Sequence, residues 1–230
     1  MFKKKLNQTT NNVRHLIAKI NPKSPISEQY RTIRTNIQFS SIDKKIKTLL
    51  VTSSEPGAGK SMTAANLAIV YAQQGIKTLL IDGDMRKPTI HYTFRLDNLQ
   101  GLSNALVDGL SFNRIAEVSD IDNLDLISSG PVPPNPSELL ASKQFERLLT
   151  EASDIYEMII IDTPPLLAVT DAQILATKLD GVIIVARSGQ TEINQLQESV
   201  EAINKVKGNL LGTVLNDVQK TDNANFYYYG

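Results

Sequence analysis

The sequence predicts an α/β fold of the P-loop NTPase type, in which helices cover both faces of a parallel sheet. Three observations support this prediction. Short runs that are apolar throughout alternate with segments of helical periodicity, a pattern typical of parallel sheets buried on both faces. A Gly-Lys-Ser sequence follows the first of these runs closely. Acidic residues follow two others, at the strand ends where such sheets bind their ligands.

Length and composition limit the possible functions. The chain has 230 residues, 41% of them hydrophobic, enough for one large domain or two small ones. Its 24 basic and 24 acidic residues balance, so we expect no nucleic acid partner. The sequence has no cysteine, which excludes disulfides, thiol catalysis and an iron–sulfur carrier. No apolar run approaches the ~18 residues of a membrane helix, so we expect a cytoplasmic protein.

The N-terminal part of the chain divides into a basic arm and a helix. Residues 1–24 contain six cations and no acid, which fits either a solvated arm or an arm attracted to anionic lipid. Residues 25–43 form a predicted helical extension, because Ile26, Tyr30, Ile33 and Ile37 recur at helical spacing. The P-loop domain then covers residues 44–218, and residues 219–230 form a C-terminal tail that we expect to be flexible.

Strands and helices alternate through the P-loop domain. The predicted strands are Lys47–Thr52, Thr78–Ile81, Leu124–Ile127, Met158–Ile161, Gly181–Ala186 and Leu210–Leu215. The predicted helices are Lys60–Gln74, a second that starts at Asn135-Pro136-Ser137-Glu138, and Glu192–Val206. The second helix is indicated by its start, where Asn135 suits the cap and Pro136 the first helical position.

A phosphate-binding loop follows the first strand. Residues 54–61 read Ser-Glu-Pro-Gly-Ala-Gly-Lys-Ser and match the P-loop pattern except that Ser54 replaces its first glycine. Glycines let the backbone approach phosphate closely, and the helix start supplies free N–H groups. We expect Lys60 to reach the β- and γ-phosphates of ATP and Ser61 to ligate Mg²⁺. The predicted nucleotide-binding residues of the loop are Pro56, Gly57, Ala58, Gly59, Lys60, Ser61 and Met62.

Carboxylates follow two of the buried strands. Such groups are costly to bury unless they meet a cation or hydrogen-bond donors, and we interpret Asp162 as the Walker B aspartate that holds Mg²⁺. Asp82 and Asp84 point the same way if their strand continues, and like charges raise one pKa unless a metal or Arg86 compensates. This arrangement suits a general base beside a metal site. The alternative is a strand-end cap with an ion pair to Arg86 or Lys87.

These motifs together resemble a known family. The P-loop, the D-x-D-x-R motif at Asp82–Arg86 and the D-x-P-P sequence at Asp162–Pro165 are similar to those of the bacterial tyrosine kinases, autokinases that control the export of capsular and extracellular polysaccharide. The resemblance extends from about Ser24 to Gly230. It implies a protein-tyrosine kinase that uses ATP and Mg²⁺.

The resemblance also implies a role for each site residue. The implied catalytic residues are Lys60, Asp82, Asp84 and Asp162, and the implied Mg²⁺ ligands are Ser61, Asp84 and Asp162. In this division Asp82 accepts the proton of the tyrosine hydroxyl. Asn216, at the end of the last strand, resembles the adenine-reading Asn of related ATPases, although a turn residue at a strand end is the alternative.

Three further features are similar to those of the family. Glu28, Arg31 and Arg34 match an E-x-x-R-x-x-R element that builds rings of subunits, although an exposed helix with an internal ion pair fits as well. Residues 130–140 are proline-rich, as in the family. Tyr227, Tyr228 and Tyr229 are three of only seven tyrosines. The resemblance implies that a neighbouring chain phosphorylates them, while a docking tail is the alternative.

Partners are implied by the resemblance alone. Family members are activated by a transmembrane modulator, either fused to the kinase or made separately, and this chain resembles the separate type. The implied partners are the cytoplasmic tail of that modulator, further copies in a ring, protein-tyrosine substrates and a phosphotyrosine phosphatase. The implied location is the inner face of the cell membrane.

Two other functions fit part of the sequence. An ATPase switch of the cell-division-site or plasmid-partitioning class shares the fold and most motifs. Such proteins carry a lysine near the start of the P-loop, where this chain has Glu55. The second alternative is a non-enzymatic module that binds nucleotide and docks through its tail. It requires that the acidic strand ends have no catalytic role.

Overall fold

The computed structural model describes residues 16–40 and 45–219. Within these residues a seven-stranded sheet has the order β3-β4-β2-β5-β1-β6-β7. The strands are β1 (Thr48–Ser53), β2 (Thr78–Asp82), β3 (Ala116–Val118), β4 (Leu124–Ile127), β5 (Met158–Asp162), β6 (Gly181–Arg187) and β7 (Leu210–Asn216). The helices are α1 (Ile17–Ile20), α2 (Pro25–Phe39), α3 (Lys60–Ala72), α4 (Ile90–Phe94), α5 (Leu102–Val107), α6 (Phe112–Ile115), α7 (Pro136–Ala141), α8 (Lys143–Ile155), α9 (Asp171–Ala176) and α10 (Ile193–Lys205).

The predicted sheet is confirmed for six of its strands. These six pair with one another in parallel, and β1, β2 and β5 are buried along their whole length. In the register of β2 with β5, Asp82 lies beside Asp162. The parallel arrangement therefore brings both acidic strand ends to the edge where β1 leads into the P-loop.

One strand was not predicted. β3 pairs antiparallel with β4 at the edge of the sheet, so the sheet is not wholly parallel. Its three residues, Ala116–Val118, are partly or fully exposed and lack the continuous apolar run that marks the central strands. A strand this short carries no readable periodicity.

Helices cover both faces of the sheet, as predicted. Alternate residues of β1 point to opposite faces, and they join two separate clusters of buried side chains. Leu50 belongs to the cluster beneath α5 to α10, while Leu49 and Val51 belong to the cluster beneath α1 to α3. Two cores of this kind fix the strand ends rigidly and leave the loops after them to form a site.

The solvated interpretation of residues 1–24 is wrong at Leu16 and Ala18, which are buried, while residues 19–23 are exposed. Both polar groups of the Ala18 backbone are bonded to side chains in or directly after α3. The Ala18 N–H donates to Asn66 Oδ1 at 2.9 Å, and Gln73 Nε2 donates to the Ala18 carbonyl at 2.8 Å. Two apolar side chains among the cations carry too weak a pattern to predict this docking. Residues 1–15 lie outside the described residues.

The helix expected after Asn135 starts at Pro136, as predicted, and Asn135 is its cap residue. The Asn135 side chain makes no capping bond, however; its Nδ2 donates to Glu138 at 2.6 Å. The helix ends at Ala141, and Ser142 caps the next helix by accepting from the Phe145 N–H at 3.2 Å. Among all the described helices, none has the length and apolar character needed to span a bilayer.

Candidate active site

The P-loop joins β1 to α3 and depends on two glycines with positive φ. Gly57 has φ +85° and Gly59 has φ +96°. Residues other than glycine adopt such backbone angles only at a cost in free energy. Gly59 has a second reason to be glycine, because a Cβ atom there would lie 2.1 Å from Asn216 Nδ2. The loop can therefore bring its backbone amides toward a phosphate.

The structure accounts for the serine at the first P-loop position. Ser54 is buried, and its hydroxyl lies 2.9 Å from the hydroxyl of Ser199 on α10. The departure from the consensus thus fastens the start of the loop to a helix. Glu55, the next residue, accepts a hydrogen bond from Thr191 Oγ1 and so fastens the loop to the segment after β6.

Lys60 lies between the two acidic strand ends. Its Nζ is 3.1 Å from Asp84 Oδ2 and 3.3 Å from Asp162 Oδ1, and all three side chains are at least 89% buried. Burial lowers the pKa of Lys60, but the negative charges of Asp162 and Asp84 raise it by more than burial lowers it. The pKa of Lys60 is therefore raised above its ordinary value. Burial raises the pKa of Asp162. The predicted convergence of these residues is confirmed, with the ammonium compensating both carboxylates.

Asp82 has a different setting from Asp84. β2 ends at Asp82, so the alternation that would align the two side chains does not continue. Oδ2 of Asp82 accepts from the backbone N–H groups of Thr89 and Ile90, both at 2.9 Å, and Oδ1 accepts from that of Asp84 at 3.3 Å. Burial, followed by the charge of Asp162, raises the pKa of Asp82 to about 7. Through these three hydrogen bonds, Asp82 anchors the loop that follows β2.

The alternative interpretation of the Asp82–Asp84 pair included an ion pair to Arg86, but the carboxylate to which Arg86 donates is a different one. Arg86 donates through Nε and Nη2 to the carboxylate of Asp171, at 3.0 and 3.1 Å. Lys87 reaches Asp84 through its backbone N–H, at 3.0 Å. Asp171 was missed by the sequence analysis, because a single acid at the start of a short helix has no motif to mark it.

A cavity of about 660 Å³ opens beside Lys60. Its lining combines residues of the P-loop with a group of charged and polar residues, which we call the polar wall, and a group of apolar residues, which we call the apolar wall. The polar wall consists of Asp84, Arg86, Lys87 and Thr89, and the apolar wall of Pro164, Pro165, Ala168 and Val169. Asp84 thus faces the cavity, whereas Asp82 does not line it. The dimensions and chemistry suit an aromatic side chain that approaches a phosphate.

Asn216 lies against the P-loop from the other side. Its Nδ2 donates to the Ala58 carbonyl at 3.0 Å, and it lines a second cavity of about 760 Å³ between α2 and β7. Arg187, the last residue of β6, forms an ion pair of 2.7 Å with Asp217, the residue that follows β7. Sequence reasoning missed this pair, because nothing in the sequence sets two charges 30 positions apart as neighbours.

The three residues of the E-x-x-R-x-x-R element are not equivalent. Arg31 donates to Glu28 at 2.8 Å and to the Pro22 carbonyl at 2.8 Å, so the internal ion pair weighed above is present. Arg34 donates to the Val70 carbonyl at 2.7 Å, so it does not lie on a free flank of α2. Ile26 was expected on the packed stripe of this helix, but it is 49% exposed. Tyr227, Tyr228 and Tyr229 lie outside the described residues.

Fold and site together define a P-loop nucleotide-binding protein, and comparison with known proteins gives its family. An AAA domain family matches residues 46–216. The chain is 50% identical to the tyrosine-protein kinase YwqD of Bacillus subtilis, over 94% of this chain and 92% of YwqD. It is 43% identical to the putative tyrosine-protein kinase CapB of Staphylococcus aureus, over 90% and 91% of the two chains.

A solved structure agrees with these relatives. The crystal structure of the chimerical protein CapA2B2 superposes with a TM-score of 0.86 at 45% identity, over 89% of this chain and 90% of that one. The chain therefore belongs to the bacterial tyrosine kinase family, and it is a tyrosine-protein kinase of the capsule and polysaccharide type that uses ATP. The resemblance drawn from its motifs is confirmed.

Proposed function

We propose that this kinase transfers the γ-phosphate of ATP to Tyr227, Tyr228 and Tyr229 of a neighbouring copy, and that it thereby regulates polysaccharide synthesis and export. The observation that carries the proposal is the meeting of Lys60 with Asp84 and Asp162 beside an open cavity. A phosphoryl transfer needs positioning and charge neutralisation more than covalent chemistry. Lys60 supplies a cation for the phosphates, and the cavity supplies room for the acceptor.

The donor set at this site fits Mg²⁺. No group of three or more His, Cys, Asp or Glu side chains among the described residues is arranged to hold a metal by itself. Mg²⁺ that arrives with a nucleotide needs only one or two carboxylates, because phosphate oxygens and waters complete its shell. Ser61, Asp84 and Asp162 would hold it, and it would neutralise charge on the phosphate oxygens.

Two residues change partners in the proposed reaction. Lys60 leaves the carboxylates for the phosphates, since a negatively charged γ-phosphate competes for the same ammonium. Asp82, as the base, accepts the proton of the tyrosine hydroxyl, and a pKa of about 7 suits that task. Because its oxygens are bonded to the N–H groups of Thr89 and Ile90, Asp82 reaches the hydroxyl only when the loop after β2 shifts.

The nucleoside end of ATP would lie toward Asn216. One N–H of the Asn216 amide is used on the Ala58 carbonyl, which leaves a donor and an acceptor for a base edge. The second cavity begins at this residue and provides space for a ring. Asn216 therefore contributes both to the shape of the P-loop and to base recognition.

Activation would depend on other chains. We propose that a transmembrane modulator docks its cytoplasmic tail on the kinase at the inner membrane face, and that Glu28, Arg31 and Arg34 join copies in a ring. CapA2B2 supports the first point, because its name combines two components and its structure covers most of this chain. The exposed Glu28 supports the second. A phosphatase would return the tyrosines to their initial state.

The test is intact-mass spectrometry of the full chain after incubation with ATP and Mg²⁺, with and without a modulator tail. We expect additions of about 80 Da per phosphate, mapped to Tyr227–Tyr229, in the wild type but not in Lys60→Met. Lys205→Met is the matched control, because Lys205 makes only a surface ion pair with Glu201. ATP consumption with an unmodified tail in every sample would contradict the proposal and favour an ATPase switch. Unchanged nucleotide binding without any transfer would favour an interaction module.

A further inference from the structure

Arg86 and Ser137, two motif residues to which the proposed reaction gives no role, meet at one buried carboxylate. Arg86, the last residue of the D-x-D-x-R motif, donates to Asp171 through two nitrogens, at 3.0 and 3.1 Å. Ser137, from the proline-rich segment, donates through its Oγ to the same carboxylate at 2.5 Å. Arg86 Nη2 also lies 2.9 Å from Ser137 Oγ. We call this group of Arg86, Asp171 and Ser137 the brace.

The brace connects three separate segments around the cavity. Arg86 belongs to the polar wall, two residues after Asp84, while Asp171 comes two residues after Val169 of the apolar wall. Ser137 is on the first turn of α7. The brace therefore links the segment that carries Asp84 to the helix that follows the apolar wall, and it ties both to α7.

The charges of the brace suit a fixed link. The Asp171 side chain is completely buried, whereas that of Arg86 is 38% exposed. A planar guanidinium that donates two bonds to one carboxylate fixes both distance and orientation. A lysine in its place offers a point charge without that fork. Ser137 adds a third bond, so the buried carboxylate has donors from both neighbouring segments.

We propose that the brace positions the acceptor tyrosine and Asp84 for transfer, so that Arg86 is a positioning residue for this kinase. The inference rests on the proposed function, in which the tyrosine enters this cavity. None of the three side chains is assigned to the nucleotide, the metal or the proton. Loss of the brace should thus leave ATP binding intact and impair use of the acceptor.

A double variant distinguishes a role of the brace in positioning from a role in stability alone. Arg86→Met leaves the buried carboxylate of Asp171 without its cation, which lowers stability, whereas replacing both partners by apolar residues is often close to neutral. We expect Arg86→Met/Asp171→Leu to regain the melting temperature of the wild type. Its phosphorylation of a peptide of residues 219–230 should still fall by on the order of 10- to 100-fold.

The assay uses the full chain with its three tail tyrosines changed to Phe, so that the peptide replaces the tail as acceptor, and phosphate on the peptide is what is measured. Rates are measured against peptide concentration, and the Kd for ATP by calorimetry. Ser137→Ala is the milder variant, because Arg86 still compensates Asp171; we expect a raised KM for the peptide and a melting temperature within a few degrees. The control Lys178→Met/Glu146→Leu removes another ion pair, which joins the segment after α9 to α8. It should change neither the KM for the peptide nor the melting temperature.

Recovery of both stability and peptide phosphorylation in the double variant would overturn the inference, as would unchanged peptide kinetics in Ser137→Ala. A weakened Kd for ATP equal to the loss in rate would overturn it too, since the brace would then serve the nucleotide. If the parent chain binds ATP but never phosphorylates the peptide, the proposed function fails and the inference falls with it. That result is distinct, because it appears before any brace residue is changed.

Discussion

Asn216 occupies the space that a side chain on residue 59 would need. Its Nδ2 donates to the Ala58 carbonyl at 3.0 Å, and a Cβ atom at position 59 would approach that nitrogen to 2.1 Å. In this arrangement, glycine at position 59 leaves the space in which the Asn216 side chain bonds to the P-loop. This contact ties the conformation of the phosphate-binding loop to the residue that we propose reads the nucleotide base.

Asn216→Ala should weaken ATP binding about tenfold. The variant loses a hydrogen bond to the P-loop and the base contact, and a net loss of about 1–1.5 kcal/mol corresponds to that change in Kd. Calorimetric titration with ATP gives the value. Asn209→Ala is the matched control, because its Nδ2 donates to the Asp180 carbonyl at 2.6 Å at the other end of β7. Equal losses of affinity in both variants would show that Asn216 acts only through general stability.

Ser54→Gly, which restores the P-loop consensus, should lower stability by about 1 kcal/mol. The variant loses the bond to the Ser199 hydroxyl, and glycine adds freedom to the unfolded chain. The cost stays modest because Ser199 Oγ also donates to the Gln195 carbonyl at 2.9 Å. Urea denaturation measures the change, and Ser54→Ala separates the lost bond from the effect of glycine. A more stable Ser54→Gly would contradict this explanation of the serine.

Much of the fold could be predicted because its signals are local. Continuous apolar runs marked β1, β2, β5 and β6, and the Pro136 start marked α7. The missed parts depend on contacts distant in sequence. The edge strand β3 pairs only through β4, and the docking of Ala18 needs Asn66 of α3 and Gln73 directly after it. No window of the sequence contains that information.

The site divides in the same way. The motifs predicted that Lys60, Asp84 and Asp162 would converge, because parallel strand ends share one edge of the sheet. The partner of Arg86 was not predicted, since Asp171 is 85 residues away in the sequence. The role of Asp82 as a loop anchor depends on where β2 ends, and strand ends are the least certain part of any pattern.

Asp82→Asn should remove a pH dependence of stability in the protein free of nucleotide and metal. The folded-state pKa of Asp82, about 7, lies above its ordinary value of 3.8. The folded chain therefore holds a proton that the unfolded chain releases, and stability present below pH 3.8 is lost as the pH rises toward 7. The penalty at pH 8 is at most roughly 4 kcal/mol.

Asn carries no charge, so the free energy of unfolding of Asp82→Asn minus that of the wild type should increase between pH 4 and pH 8. Urea denaturation in a series of buffers with EDTA gives this difference. Asp108→Asn is the matched control for replacing an exposed carboxylate, one that accepts a bond from Asn104 Nδ2. A pH-independent difference for Asp82→Asn would show that Asp82 ionises normally in the folded chain.

Glu28→Ala and Arg34→Ala should separate assembly from stability. Val70 is near the end of α3, where helix carbonyls lack partners within the helix, and Arg34 donates to it at 2.7 Å. Arg34→Ala should therefore lower the free energy of unfolding by about 1–2 kcal/mol. Glu28→Ala breaks only an exposed ion pair with Arg31, worth less than about 1 kcal/mol.

If the element joins copies in a ring, Glu28→Ala should reduce the oligomer mass measured by light scattering while its urea midpoint stays near that of the wild type. Arg34→Ala should change both quantities, because its guanidinium also holds α2 on α3. Lys23→Ala, just before the helix, is the control for a loss of charge in this region. An unchanged oligomer in Glu28→Ala would show that the exposed carboxylate serves the helix alone, and that contacts between copies lie elsewhere.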